Sequence, residues 1–411
     1  MVLNKERKFH YGWVVAFCCT LMICSASLIS TGMSTNLNAM RQHLGFTNTQ
    51  TALVLTIRSI TAFLAALCAN TYYKMGLKRG MVIALLLGAA TFALFAAAGR
   101  NLTVIYAGAV LSGICYAYGM MMPASMLLRN WFNKSRGTAL SIASAGTGLV
   151  SVIFAPLVQS TVNRTGIKAA FILQGVFMVF SALMLALLVV EKPEEKGLEP
   201  YGGKDWVPEA GKGPKAREAT ELPYVWMAVL IGAAALVGAG ASPCSANYTN
   251  NMVTAGLDAM TVAKGLSIYG AILIAAKLVY GVAIDKLGTL KTTLIFGFMT
   301  AAAIFMMFLI NYFPNDLFMY VTFIITAVAV PVQTMGYPNW VVDLDSAHYN
   351  KTLVKCQTGY QLGAVVGSFI PGPIADATGS YALAYLIFFF CNLIPIILVF
   401  FCYRAGAGKR K

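Results

Sequence analysis

Residues 281–291 read Gly281-Val282-Ala283-Ile284-Asp285-Lys286-Leu287-Gly288-Thr289-Leu290-Lys291. This knot of charge and glycine joins two long apolar runs. The glycines permit a tight turn, and the aspartate can pair with neighbouring bases or cap a helix N-terminus. About 212 residues earlier stands a related stretch, Ala69-Asn-Thr-Tyr-Tyr73-Lys74-Met-Gly76-Leu-Lys78-Arg79, again after an apolar run. Thr165-Gly166 and Thr378-Gly379 recur at a similar offset. The chain therefore reads as two parallel repeats. Such repeats with a midplane site between them are a carrier architecture.

Composition agrees. Of 411 residues, 58% are hydrophobic and 11% charged, roughly half the charge fraction of a soluble domain. The apolar runs repeat at lengths sufficient to cross a bilayer. Spans are expected at 11–33, 50–72, 79–99, 102–125, 137–160, 167–190, 224–252, 261–284, 290–311, 316–340, 353–376 and 381–403. The first run is too long for a cleavable signal, and no small-residue cleavage site follows it. The expected fold is an all-α membrane protein of twelve helices in two six-helix repeats, residues 1–190 and 224–411. Between them, 191–223 holds eight of the fifteen acids and reads as a soluble linker.

Bases crowd the loops on the linker's side. The other side holds only Arg41, Arg100, Arg164, Lys168 and Lys264. The positive-inside rule then places both termini in the cytoplasm of a multi-pass protein of the cell (inner) membrane. It also accounts for the net charge of +15. The bases alternate between loops rather than forming one face, so nucleic acid is not an expected partner. No metal, cofactor or enzymatic role is expected. There is no Cys-x-x-Cys pair, HExxH, phosphate loop or nucleophile–base constellation, and the nine cysteines lie mostly in apolar runs.

Gly281, Asp285, Lys286 and Gly288 resemble the loop signature of the major facilitator superfamily. The first copy keeps Gly76, Lys78 and Arg79 but has Ala69 and Tyr73 where the pattern has Gly and Asp. Its gating contact is therefore expected to be weaker or differently made. A narrower resemblance joins His10-Tyr11-Gly12-Trp13, Arg129-Asn-Trp131-Phe132 through Leu140, Ala145-Gly146-Thr147-Gly148, and Pro371-Gly372 through Asp376 to Tyr381. Together these are similar to the monocarboxylate transporter and oxalate–formate antiporter branch. That resemblance implies an organic carboxylate substrate.

Arg58 and Lys277 fall well inside apolar runs. A mid-bilayer charge costs roughly 3 kcal/mol on insertion scales, so it normally faces a cavity or a partner. Every acid lies in the linker, in other loops or near predicted span ends, and none sits mid-membrane. Two readings stand. Either the cations snorkel or bind carbonyls of a broken helix, or an anionic substrate supplies the missing counter-charge. Lys277-Leu278-Val-Tyr-Gly281 matches the branch's R-P-x-x-G, whose Arg is implied to bind the substrate carboxylate. Here that Arg is Lys, a point charge rather than a fork. The branch's proton-coupling aspartate is matched by Leu273. This weighs against carboxylate-borne coupling and leaves exchange, facilitated diffusion or coupling through Lys277 open. Further pocket candidates are Asn36, Tyr116, Tyr118, Asn247, Gln333, Tyr337, Tyr360 and Gln361, for each of which helix–helix hydrogen bonding or interface anchoring is an equal reading. Gly363 and Gly367 read as packing residues. The expected function is secondary transport of a small carboxylate by a monomer in lipid. Alternatives are a carrier of bulkier aromatic or steroidal acids, a proton-coupled symporter and, last, a sensor or intramembrane enzyme.

Overall fold

A computed structural model describes residues 10–67, 75–203 and 220–407. The loop residues Ala69, Tyr73 and Lys74 lie outside that range. The described chain is a succession of helices: α1 Gly12–Ser27, α2 Met33–Leu44, α3 Asn48–Leu67, α4 Leu77–Ala98, α5 Leu102–Tyr118, α6 Met121–Trp131, α7 Arg136–Ser144, α8 Gly146–Leu149, a π-helical turn Val150–Phe154, α9 Ala155–Thr165 and α10 Ile167–Leu188. After the linker come α11 Tyr224–Ala246, α12 Tyr248–Thr254, α13 Ala259–Leu287, α14 Thr289–Leu309, α15 Asp316–Ala329, α16 Pro331–Leu344, α17 Tyr349–Phe369, α18 Pro371–Thr378 and α19 Ala382–Ala407. Among the described residues, nine helical runs are long and apolar enough to cross a membrane.

Local chemistry sets the boundaries. Asn101, Asp258 and Asn315 cap α5, α13 and α15 by accepting from Thr103, Thr261 and Phe318 N–H at 3.0, 2.8 and 3.2 Å. Gly76 and Gly288 sit at φ +85° and +81° immediately before α4 and α14. Glycine adopts that conformation without strain, which is why both loop copies keep it. α2 runs through Leu44, so Arg41 and His43 lie on a helical turn rather than in a loop.

Several runs are broken at matching places before and after the linker. α1 gives way to α2 over Leu28–Gly32, and α11 gives way to α12 at Asn247, after an internal Pro243. Gly119 and Met120 separate α5 from α6, as Pro331 starts α16 after α15. Breaks of this kind free carbonyls at membrane depth, which is tolerated where they line protein or a cavity. Tight packing comes from small residues. A Cβ on Gly363 would fall 1.8 Å from the Ala235 carbonyl oxygen, and one on Gly238 2.0 Å from that of Tyr360, so α11 and α17 meet backbone to backbone.

The linker is docked at both described ends. Glu191 to Gly203 lies on the N-terminal helices. Trp131 Nε1 donates to the Val190 carbonyl at 2.8 Å, and the Asn133 and Lys134 N–H groups donate to the Tyr201 carbonyl at 3.1 and 2.9 Å. The Tyr201 ring packs on His10, Trp13 and Phe132. His10 Nδ1 accepts from Gly12 N–H, leaving Nε2 to donate to the Glu199 carbonyl at 3.0 Å. The His-Tyr-Gly-Trp motif is thus a receptacle for the linker. At the other end Thr220 exchanges hydrogen bonds with Ser346.

Candidate functional site

The helices before and after the linker meet along several seams. One joins α3 to α17 and α18, and another joins α13 to α8, the π turn and α9. Arg58 belongs to the first and Lys277 to the second.

Arg58 is 3% exposed. Its Nη1 donates to the Ile29 carbonyl at 2.8 Å, a group in the break between α1 and α2. Nη2 reaches Ser242 of α11 at 3.4 Å. The guanidinium carbon stands 5.4 Å from the centroid of the Tyr116 ring, within cation–π range. Tyr360 of α17 is a neighbour of the guanidinium. The Tyr337 and Tyr360 rings are 5.6 Å apart, and Tyr337 Oη donates to Gln357 Oε1. Nε is buried with no hydrogen-bond partner among the described residues.

Lys277 is half-buried. Its Nζ donates to the Ser144 carbonyl at 3.1 Å and to Thr147 Oγ1 at 2.7 Å. Both acceptors precede the linker, whereas Lys277 follows it. The arrangement at Arg58 is the converse, since Ser242 follows the linker. The Ala-Gly-Thr-Gly motif gains a physical account here. Thr147 holds Lys277, and a Cβ on Gly148 would fall 2.7 Å from the Gly270 carbonyl oxygen of α13. Among the described residues, all hydrogen-bond acceptors of the two cations are neutral oxygens, so no described carboxylate neutralises their charges.

The other candidates divide. Tyr116 lies against Arg58 and Tyr360 pairs with Tyr337, and Gln361 is half-buried next to Tyr360 on α17. Tyr118 stands two residues past Tyr116 on α5, its hydroxyl donating to the Ala65 carbonyl at 2.8 Å. Asn36 is closed in a reciprocal amide pair with Gln174, both bonds 2.9 Å. Asn247 bonds the Pro243 carbonyl and accepts from Asn250. Gln333 donates to Asn392 at 2.7 Å and lines a small, partly open gap among α11, α14, α16 and α19, within the C-terminal helices. Ser242, Gln357, Ser144 and Thr147 are contacts that sequence reading passes over. Only Thr147 carried a signal, by standing in a motif.

The loop residues serve helix ends. Asp285 and Lys286 are exposed on the last turn of α13, just past Gly281, and Arg79 is exposed on the first turn of α4. In the first copy, Glu191 Oε1 accepts the Lys78 N–H at 2.9 Å. A carboxylate from the linker therefore caps the helix after the loop that lacks its own aspartate.

The chain is 28% identical over 187 residues to the oxalate:formate antiporter of Oxalobacter formigenes, a match covering 45% of this chain and 42% of that one. It is 24% identical over 203 residues to monocarboxylate transporter 4 of Rattus norvegicus, covering 47% and 41%. These matches span under half the length of either relative. Among solved structures, the nucleoside transporter NupG superposes with a TM-score of 0.72 at 12% identity, over 96% of this chain and all of that one. A D-xylose–proton symporter gives 0.70 at 13%, over 94% and 96%. The model of the Major Facilitator Superfamily matches residues 16–350, and the chain belongs to that superfamily of membrane transporters.

Proposed function

We propose that this transporter carries a small organic carboxylate by alternating access, with Arg58 and Lys277 as the groups that receive its charge. The observation that carries the reading is the pair of intramembrane cations bonded, among the described residues, to neutral oxygens alone, one with an Nε that no described acceptor reaches. An arriving carboxylate supplies the counter-charge and the missing acceptor, and a charge-assisted bond is the strong kind. Each cation bonds across a seam, so a ligand that competes for it loosens or tightens that seam. Two halves, 1–190 and 224–411, rock about the site, and the linker 191–223 joins them. In this reading the chain crosses the cell membrane twelve times, the excess of bases on the linker side puts that face and both termini in the cytoplasm, and a monomer suffices. The branch's proton-coupling acid is absent at Leu273, which favours anion exchange over symport.

Tyr116 on Arg58 and the Tyr337–Tyr360 ring pair support a second reading, a planar or aromatic acid, since their rings offer stacking faces. Thermal shifts of the purified protein against mono- and dicarboxylates, aromatic acids and bile acids decide between them. A ligand that stabilises the parent but neither Lys277→Ala nor Arg58→Ala is expected. Equal stabilisation of all three proteins removes the two cations from the site.

A further inference from the structure

We propose that Asp376 is a latch between the two halves: its carboxylate completes the N-terminus of α3 across the seam and thereby sets how readily the end of the molecule away from the linker opens. The proposal rests on the rocking part of the functional reading and not on its substrate.

A helix leaves its first N–H groups without partners. α3 satisfies part of its own start through a reciprocal capping box. Gln50 N–H donates to Thr47 Oγ1 at 3.1 Å, and Thr47 N–H donates to Gln50 Oε1 at 2.9 Å. Thr51 N–H then makes the first intrahelical bond, to the Thr47 carbonyl at 3.1 Å. Two donors remain, the N–H groups of Asn48 and Thr49. Both are taken by Asp376 at the end of α18, at 2.8 Å to Oδ1 and 2.8 Å to Oδ2.

The surroundings are built for that contact. Asn48 Nδ2 adds a third bond to Oδ1 at 2.8 Å, and Asn48 Oδ1 accepts from the Tyr381 hydroxyl at 2.7 Å. Gly372, one turn before Asp376, faces α3 so closely that a Cβ there would lie 2.5 Å from Ala52 Cβ and 2.7 Å from the Asn48 carbonyl oxygen. Arg41 closes the same end, donating to Thr254 Oγ1 at 3.1 Å with its guanidinium carbon 5.8 Å from the Tyr381 ring centroid.

The cap of α3 is therefore divided. One part travels with α3, and the other belongs to the opposite half. Separating the halves at this end strips an anion from the positive end of a helix and returns two N–H groups to water. An acid within the same half would exert no such bias, because it would move with the helix.

The test is a distance distribution across the latch end. Spin labels at Thr165→Cys and Phe313→Cys, in a background with the natural cysteines replaced, are measured by double electron–electron resonance in nanodiscs without substrate. The parent should populate mainly the short distance. Asp376→Ala should raise the long-distance share roughly tenfold, the scale of one charge-assisted hydrogen bond lost. Asp376→Asn keeps one acceptor and should raise it less, and it carries the test if the alanine variant does not fold. Thr47→Ala weakens the same helix start within one half and should leave the distribution unchanged. An unmoved distribution in both Asp376 variants overturns the latch. So does an equal shift in Thr47→Ala, which would make the carboxylate a helix stabiliser only. A single distance in every variant overturns the latch and the rocking together.

Discussion

Arg58 sets the terms at the residue scale. A buried guanidinium with an unbonded Nε is a standing cost to the fold. A purely structural arginine, tied to the Ile29 carbonyl, would make its removal destabilising. A receptor for substrate charge makes the opposite prediction. Arg58→Met should raise the melting temperature of the substrate-free protein, on the order of 1 kcal/mol, while removing the response to ligand. A lower melting temperature would favour the structural role. Lys277→Arg tests the other cation. A planar fork cannot reproduce the two-acceptor geometry of Ser144 and Thr147, so substrate affinity should fall roughly tenfold while the protein remains folded. Both cations were legible in sequence because charge inside an apolar run is conspicuous. Ser242 and Gln357 were not, since a small or neutral polar residue in a membrane helix has many equivalent uses. Asn36 and Gln333 show the same ambiguity from the other side, with their amides bonded to Gln174 and Asn392.

The breaks and caps matter most at the element scale. Apolar length located the helices. The start of α4 shows how one missing residue is made good elsewhere. The loop copy without its aspartate implied a different contact, but only folding could bring Glu191 to the Lys78 N–H. Glu191→Ala should therefore lower stability by about 1 kcal/mol, the usual scale of a lost cap, read as a melting shift, with little change in ligand affinity. The α11–α17 contact is less forgiving. Gly363→Ala places a methyl against the Ala235 carbonyl and should cost about 1–3 kcal/mol as overpacking, visible as lower yield and melting temperature. The sequence reading of Gly363 as a packing residue matches that contact.

At the scale of the whole molecule, repeat and loop signature pointed to the superfamily fold, because they encode helix number and turn geometry directly. The seams were not legible. Nothing in one-dimensional spacing places Arg58 beside Ser242, or Lys277 beside Thr147, since those contacts join residues from opposite sides of the linker. Yet this crossing links binding to movement in the present account. Lys277 is held by acceptors from the other set of helices, and Arg58 reaches across to Ser242 while its shorter bond goes to Ile29 of its own set, so discharging either cation changes how the two sets adhere. The most direct test is exchange in proteoliposomes loaded with the carboxylate that stabilises the purified protein. Counterflow of the labelled acid is measured for the parent, Arg58→Ala and Lys277→Ala, each first checked for folding. The account predicts robust counterflow by the parent and at least a tenfold loss in both variants. Folded variants that exchange as fast as the parent would contradict it.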